Sequence, residues 1–269
     1  MTTATILPEF DRPPLSEVAI SVQFESLSDF GMVHAGGLWQ IFRDKFPIVE
    51  YQPALQPSFE LFGLEGGQPN QVGFEILRTQ PLPRIWFRNA ENSKLIQFQV
   101  DKIALNWQKT NNSFDYPRYS SLREEFILIF NKILDYLETE KIRHLKVNQC
   151  ELTYVNTINV TSSEKLLLKC FQKTELSSVG SLESVALNLR YKIEDANGAP
   201  VGRLIVHSTQ GADINGNPIS QLTLTGRGPP SLPNFTSALD FIDRAHSAIV
   251  TAFADLTLVE LHKEWERRA

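Results

Sequence analysis

His246 and Asp243 stand three residues apart in a segment whose apolar residues recur at helical spacing, so the two share one side of a helix. An imidazole beside a carboxylate is the simplest general base, and His246 with Asp243 or with Glu151 is the one acid–base arrangement the sequence offers. A histidine on an apolar stripe is more commonly a core residue bonded to a neighbouring strand, and that is the expected role. Glu151, Tyr154 and Asn156 form a second polar group, in a segment that alternates like a strand. Alternation sends Glu151 to one face and Tyr154 and Asn156 to the other. Tyr154, Asn156 and His246 would then line a pocket between sheet and helix. Trp86, flanked by Arg84 and Arg88, is the third candidate, because arginine and tryptophan anchor interfaces.

Other chemistry has no signature. The chain lacks G-x-x-x-x-G-K-[ST], H-E-x-x-H, C-x-x-C, G-x-S-x-G, and a G-x-G-x-x-G after a strand. Gly226-Arg227-Gly228-Pro229-Pro230 ends a strand, but its prolines lack the amides that a phosphate cradle needs. His34, His144, His207, His246 and His262 show no metal-ligand spacing. No catalytic residue, metal or cofactor is therefore assigned.

The elements that position these residues follow from periodicity. Val18, Ile20, Val22 and Phe24 alternate with polar residues and predict a half-buried strand. Leu38, Trp39, Phe42 and Phe46 predict a helix over 34–46, stopped by Pro47. Strands are predicted near 58–63, 72–78 and 84–88. Over 95–107 the alternation slips by one near Asp101-Lys102, which predicts a bulge or a tight turn. Ser121-Leu-Arg-Glu124 reads as a capping box opening a helix to about residue 140. The second half runs in the same order. A strand covers 147–160, Thr161-Ser-Ser-Glu164 opens a short helix, strands follow around 185–193, 201–208 and 220–228, and a helix closes from Asn234 to Asp255. Its predicted stripe is Phe235, Leu239, Ile242, His246, Ile249, Phe253 and Leu256.

The fold class is α+β: two similar lobes, 1–143 and 144–269, or one continuous domain. Each lobe carries a mostly antiparallel sheet with a long helix on one face, a layout shared by TATA-binding-like and helix-grip folds. The opposite face would be open and would carry Arg84, Trp86, Arg88, Gln97, Glu151, Arg190, Arg227 and either Arg203 with His207 or their neighbours. The leading expectation is a non-catalytic binding protein that holds a protein partner or a second copy of itself on this face. A small-ligand sensor and an enzyme using His246 are the alternatives.

Composition agrees with a packed globular chain. Of 269 residues 42% are hydrophobic, and 26 basic against 31 acidic residues give a net charge of −5. That balance disfavours nucleic-acid binding through phosphates. No apolar run is long enough to cross a membrane as a helix, and the N-terminus does not read as a signal peptide. Two cysteines, Cys150 and Cys170, read as buried free thiols in a reducing compartment, so a cytoplasmic location is expected. Arg267-Arg268 reads as a solvated end.

Several short motifs, taken together, resemble a sporadically distributed prokaryotic family of uncharacterised proteins of similar length, without an established activity. They are Pro13-Pro14-x-x-Glu17-Val18, Trp39 leading to Phe46-Pro47, Arg84-Ile-Trp86-Phe87, Leu95-Ile-Gln97, Asn106-Trp107 and Tyr116-Pro117. In the second half they are Gln149-Cys-Glu151-x-x-Tyr154-x-Asn156, Gly202-Arg203-Leu204, Leu224-Thr-Gly-Arg227-Gly228, and His246-x-x-Ile249-x-x-x-Phe253 to Trp265. The resemblance carries over no catalytic residue. It implies an accessory role, such as stress response or defence.

Overall fold

Val18, Ile20 and Val22 are completely shielded from solvent, and the strand that carries them is the centre of the molecule. This strand, β1 (Leu15–Phe24), pairs antiparallel on one edge with β5 (Lys102–Gln108) and on the other with β6 (Val147–Asn159). The computed structural model describes residues 7–62, 82–110, 116–142, 144–159, 186–213 and 215–268. The strand expected at 72–78, the helix expected from Thr161 and the Cys170 thiol lie outside the described residues.

The remaining elements are α1 (Met32–Phe42), β2 (Ile48–Gln52), β3 (Arg84–Arg88), β4 (Lys94–Gln99), α2 (Tyr119–Thr139), β7 (Leu187–Glu194), β8 (Pro200–Ala212), β9 (Pro218–Gly228), α3 (Phe235–Leu256) and α4 (Val259–Glu264). Among the described residues nine strands form one antiparallel sheet in the order β2-β3-β4-β5-β1-β6-β9-β8-β7. The chain is thus α+β, and strands from both halves share this sheet. Outward from the β1/β6 seam the order is β1, β5, β4, β3, β2 on one side and β6, β9, β8, β7 on the other.

Alternation in each strand separates an apolar face from a polar one. On the apolar face Ile20 stands beside Leu105 and Leu152, and Val18 beside Trp107 and Tyr154. α2 buries Leu122, Phe126, Phe130 and Ile133. Its Phe130 ring stacks on Phe235 at the start of α3, 3.7 Å between centroids. Burial of each such side chain contributes roughly 1.5–3 kcal/mol.

α3 lies against β6 and β9, and it is capped by the Asn234 side chain, which accepts from the Ser237 amide at 2.9 Å. The helix comes close because glycines face it. A Cβ on Gly226 would stand 2.6 Å from that of Ala245, and one on Gly202 or Gly228 would collide with the Phe241 ring. The buried stripe therefore runs through Ala238, Phe241, Ile242, Ala245, Ile249 and Phe253, while Leu239, His246 and Leu256 sit on its flank, half-buried. The expected stripe was rotated: small residues, not the largest apolar ones, make the nearest approach.

Other boundaries moved for local reasons. α1 ends at Phe42, ahead of Pro47, and its Gly37 makes room for the Tyr136 hydroxyl, which donates to the His34 carbonyl at 2.9 Å. The slip at 95–107 is a tight turn, Val100-Asp101, joining β4 to β5. α2 starts at Tyr119 instead of near Ser121. The predicted strand at 58–63 does not form: residues 53–62 run as an extended strap without ladder pairing.

Candidate functional site

Tyr154 and Asn156 project from β6 toward α3, and both are buried, with 5% and 2% of their surface exposed. An asparagine there is unusual on an otherwise apolar face, and its amide needs a partner. It donates to the Leu222 carbonyl of β9 at 3.1 Å, while its own oxygen has no hydrogen-bond partner among the described residues. The Tyr154 hydroxyl meets that of Tyr116 at 2.9 Å.

His246 comes from the flank of α3. Its ring stacks face to face on Tyr119, 3.8 Å between centroids, and lies 6.0 Å from the Tyr154 ring. Tyr119 is held in turn by Asp243, which accepts from its hydroxyl at 2.6 Å, and from Arg123 Nε and Nη2 at 2.7 and 2.8 Å. The dyad suggested by sequence therefore does not form. Asp243 turns to Tyr119 and Arg123, and neither nitrogen of His246 has a hydrogen-bond partner among the described residues. Nor does the imidazole bond to a strand, as a satisfied core histidine would. Glu151 lies on the other face of the sheet, with Ser21 of β1 opposite it.

These groups line a cavity of about 460 Å³ between β6, β9 and α3. Its walls are mainly apolar and aromatic, with Leu15, Leu224, Ile249 and Phe253 beside the three tyrosines. Residues 7–10 close one side. Phe10 is buried against Phe253 and His262, and its carbonyl accepts from Arg118 at 2.8 Å. Arg118 adopts φ 68°, a strained value for a residue with a side chain, where the chain turns into α2.

Burial sets the protonation states here. It pushes the His246 imidazole down to about 4, and Asp243 and Glu9 offset that only in part. It pushes Tyr116 up to about 12, and Tyr154 and Tyr119 well above the ordinary phenol. At neutral pH the site thus holds a neutral imidazole and protonated phenols. The charges at its border are paired: Arg268 meets Glu9 at 2.8 Å and Asp11 at 2.6 Å, Arg118 also reaches Asp11, and Asp243 meets Arg123. Arg268 is therefore tied to residues 9–11 and Arg267 bridges Phe10, so the pair is solvated, as expected, yet anchored to the N-terminal segment.

The other candidate residues lie on the polar face. The register resolves β8: Arg203 and His207 share this face with Thr223 and Arg227. The strap crosses it. Leu55 bonds to Gln99 through amide and carbonyl, both 2.8 Å, and the Ser58 amide donates to Gln23 at 3.0 Å. Glu60, with 2% of its side chain exposed, accepts from Arg203 Nε at 2.6 Å and stands 3.6 Å from Arg227. Arg227 is bonded as well to Glu151, which Lys102 approaches at 3.8 Å. Glu151, Arg203 and Arg227 thus meet one another and the strap, so this part of the face is covered by the chain itself. Arg190 adds its field to Glu60 from the exposed edge strand β7. Burial pushes the Glu60 carboxyl above its usual range, against the pull of Arg227, Arg203 and Arg190.

Arg84, Trp86, Arg88 and Gln97 lie together beyond the strap. Both guanidiniums flank the indole, at 5.2 and 5.3 Å from its centroid, and Gln97 accepts from Arg84 and Trp86. Glu50 of β2 accepts from Arg88 at 3.2 Å.

Sequence reasoning missed Tyr116, Tyr119 and Glu60 as site residues. Tyr116-Pro117 had stood out only as a motif of the resembling family, and Glu60 was concealed in an apparent strand. No three histidine, cysteine or acidic side chains converge on a metal position among the described residues. The buried Cys150 thiol is pushed up to about 12 by desolvation, which makes it a poor nucleophile. No described helix is long and apolar enough to cross a membrane.

No family model matches the chain, and no curated protein matches it.

Proposed function

We propose that this chain is a non-catalytic binding protein whose site is the cavity between the sheet and α3, occupied by a small, largely apolar molecule. The observation that carries this reading is the convergence of unpaired polar groups on one cavity. Its volume of about 460 Å³ falls in the range of ligand sites, 300–1,000 Å³. The His246 ring and the Asn156 oxygen both lack protein partners there. Neither is among the sealed-off atoms that lack a partner, so both are accessible from the cavity they line, where a ligand or an ordered water can bond to them. A sensor or carrier fits this better than an enzyme, because Asp243 is spent on Tyr119 and Arg123.

Native mass spectrometry of protein purified from its own host tests this. The expected spectrum shows a small-molecule adduct lost on denaturation, and absent from Val250→Trp, which fills the cavity. An adduct that survives that substitution, or an unliganded protein, would overturn the reading.

A second reading keeps the polar face as an interface. It rests on the half-buried Arg84–Trp86–Arg88 stack and on the aromatic and arginine preference of binding hot spots. Its occupant would be a protein partner or a second copy, and loss of association in Trp86→Ala is its test. The matching outward order of strands supports descent from a duplicated lobe. Cytoplasmic residence and an accessory role in defence belong to the same proposal and rest on the resemblance and on a sequence with only two cysteines.

A further inference from the structure

We infer that the cavity recognises an uncharged aromatic lactam or carboxamide, with a donor and an acceptor side by side, and not an ion or a plain hydrocarbon. This rests on the pocket reading above and deepens it. Three observations narrow the ligand.

The first is a proton count. Tyr116 and Tyr154 carry two hydroxyl protons and share one hydrogen bond, so whichever accepts keeps a proton to donate elsewhere. No other partner takes it among the described residues. The pair therefore always offers one donor. The Asn156 oxygen offers an acceptor, and the neutral His246 ring offers one of each. An amide group presents the complement, a carbonyl for the phenol and an N–H for the asparagine or imidazole.

The second is charge. Arg118, Arg268 and Asp243 at the border are already matched by Asp11, Glu9 and Arg123, so a buried carboxylate or ammonium would meet no free counter-charge. An ion left unpaired in an apolar site costs several kcal/mol. The third is shape. Tyr119 and His246 already form a flat stack at 3.8 Å, and the Tyr154 ring lies tilted against His246 at 6.0 Å. Aromatic walls favour a flat guest, and the volume holds roughly 10–20 non-hydrogen atoms at interior packing density.

Three probes of one size separate the alternatives: 2-quinolinone, naphthalene and 2-naphthoate, titrated into the full chain and followed by protein NMR. The expected order is 2-quinolinone about tenfold tighter than naphthalene, as two neutral hydrogen bonds would give, with 2-naphthoate weakest. His246→Phe and, separately, Asn156→Leu should shrink the preference for quinolinone while leaving naphthalene bound. Naphthalene binding as well as quinolinone, or naphthoate binding tightest, overturns the amide assignment but leaves the pocket reading standing. No shift with any probe at cavity residues overturns both.

Discussion

Two polar clusters sit inside this protein, on opposite faces of the same sheet, and they are built on opposite principles. Under the strap, Glu60, Arg203, Arg227, Glu151 and Lys102 satisfy one another, and Gln23 and Gln99 hold the strap's backbone. Under α3, hydrogen-bonding capacity is left over: Tyr154 with Tyr116 and Asn156 with Leu222 are joined, while His246 is only stacked. A closed network orders structure; an incomplete one in a cavity is completed by something else. Buried polar groups cost free energy when unpaired, so the second cluster is stabilised by filling.

The contrast predicts unequal mutational costs. Glu60→Ala removes the carboxylate that Arg203 meets, leaving it the Leu61 carbonyl, while Arg227 keeps Glu151; it should destabilise by roughly 3 kcal/mol in urea unfolding, since removing one partner of a buried pair leaves the other uncompensated. A loss below 1 kcal/mol would show that the strap is not fastened there.

Acid should act on the other cluster. The folded His246 titrates near 4, against 6.5 for the ordinary group. Above 6.5 neither folded nor unfolded chain binds the proton, so stability is level with pH. Between 6.5 and 4 the unfolded chain binds it and the folded one does not, so stability falls as pH falls, and below 4 the loss is complete. At 1.36 kcal/mol per unit the total is about 3 kcal/mol. His246→Phe should remove this slope from a pH series of unfolding midpoints; an unchanged slope assigns it to other groups.

Asn156→Leu should cost about 1 kcal/mol in the unliganded protein, because the buried Leu222 carbonyl loses a donor while an apolar wall gains a side chain. Tyr154→Phe should be the mildest, below about 1 kcal/mol, because it removes one shared neutral hydrogen bond. If Tyr154→Phe instead matches Glu60→Ala, the cavity cluster is as closed as the strap cluster and the contrast fails.

How much was legible follows the same division. Local signals carried far: the closing helix starts beside Asn234, as its spacing predicts, and the phase slip at 95–107 is a turn. Tyr154, Asn156 and His246 were marked by periodicity alone, and the structure brings them to one cavity. What failed was long-range. The residues 58–62 alternate like a strand, yet the sheet's polar side chains capture their backbone before any ladder does. Tyr119 and Arg123 look like ordinary helix residues until α3 places Asp243 beside them. Gly226 and Gly228 read only as the end of a strand and Gly202 only as part of one; they are the bed on which α3 rests.

The β1/β6 seam has a consequence for biosynthesis. β1 is complete at residue 24 and its partner begins only at 147, so one of its edges stays bare while the stretch between is translated. At about 5–20 residues per second that interval is on the order of ten seconds. During it the nascent chain exposes a ready template for pairing with another copy, which makes this seam the place where a ribosome-bound chaperone would matter most.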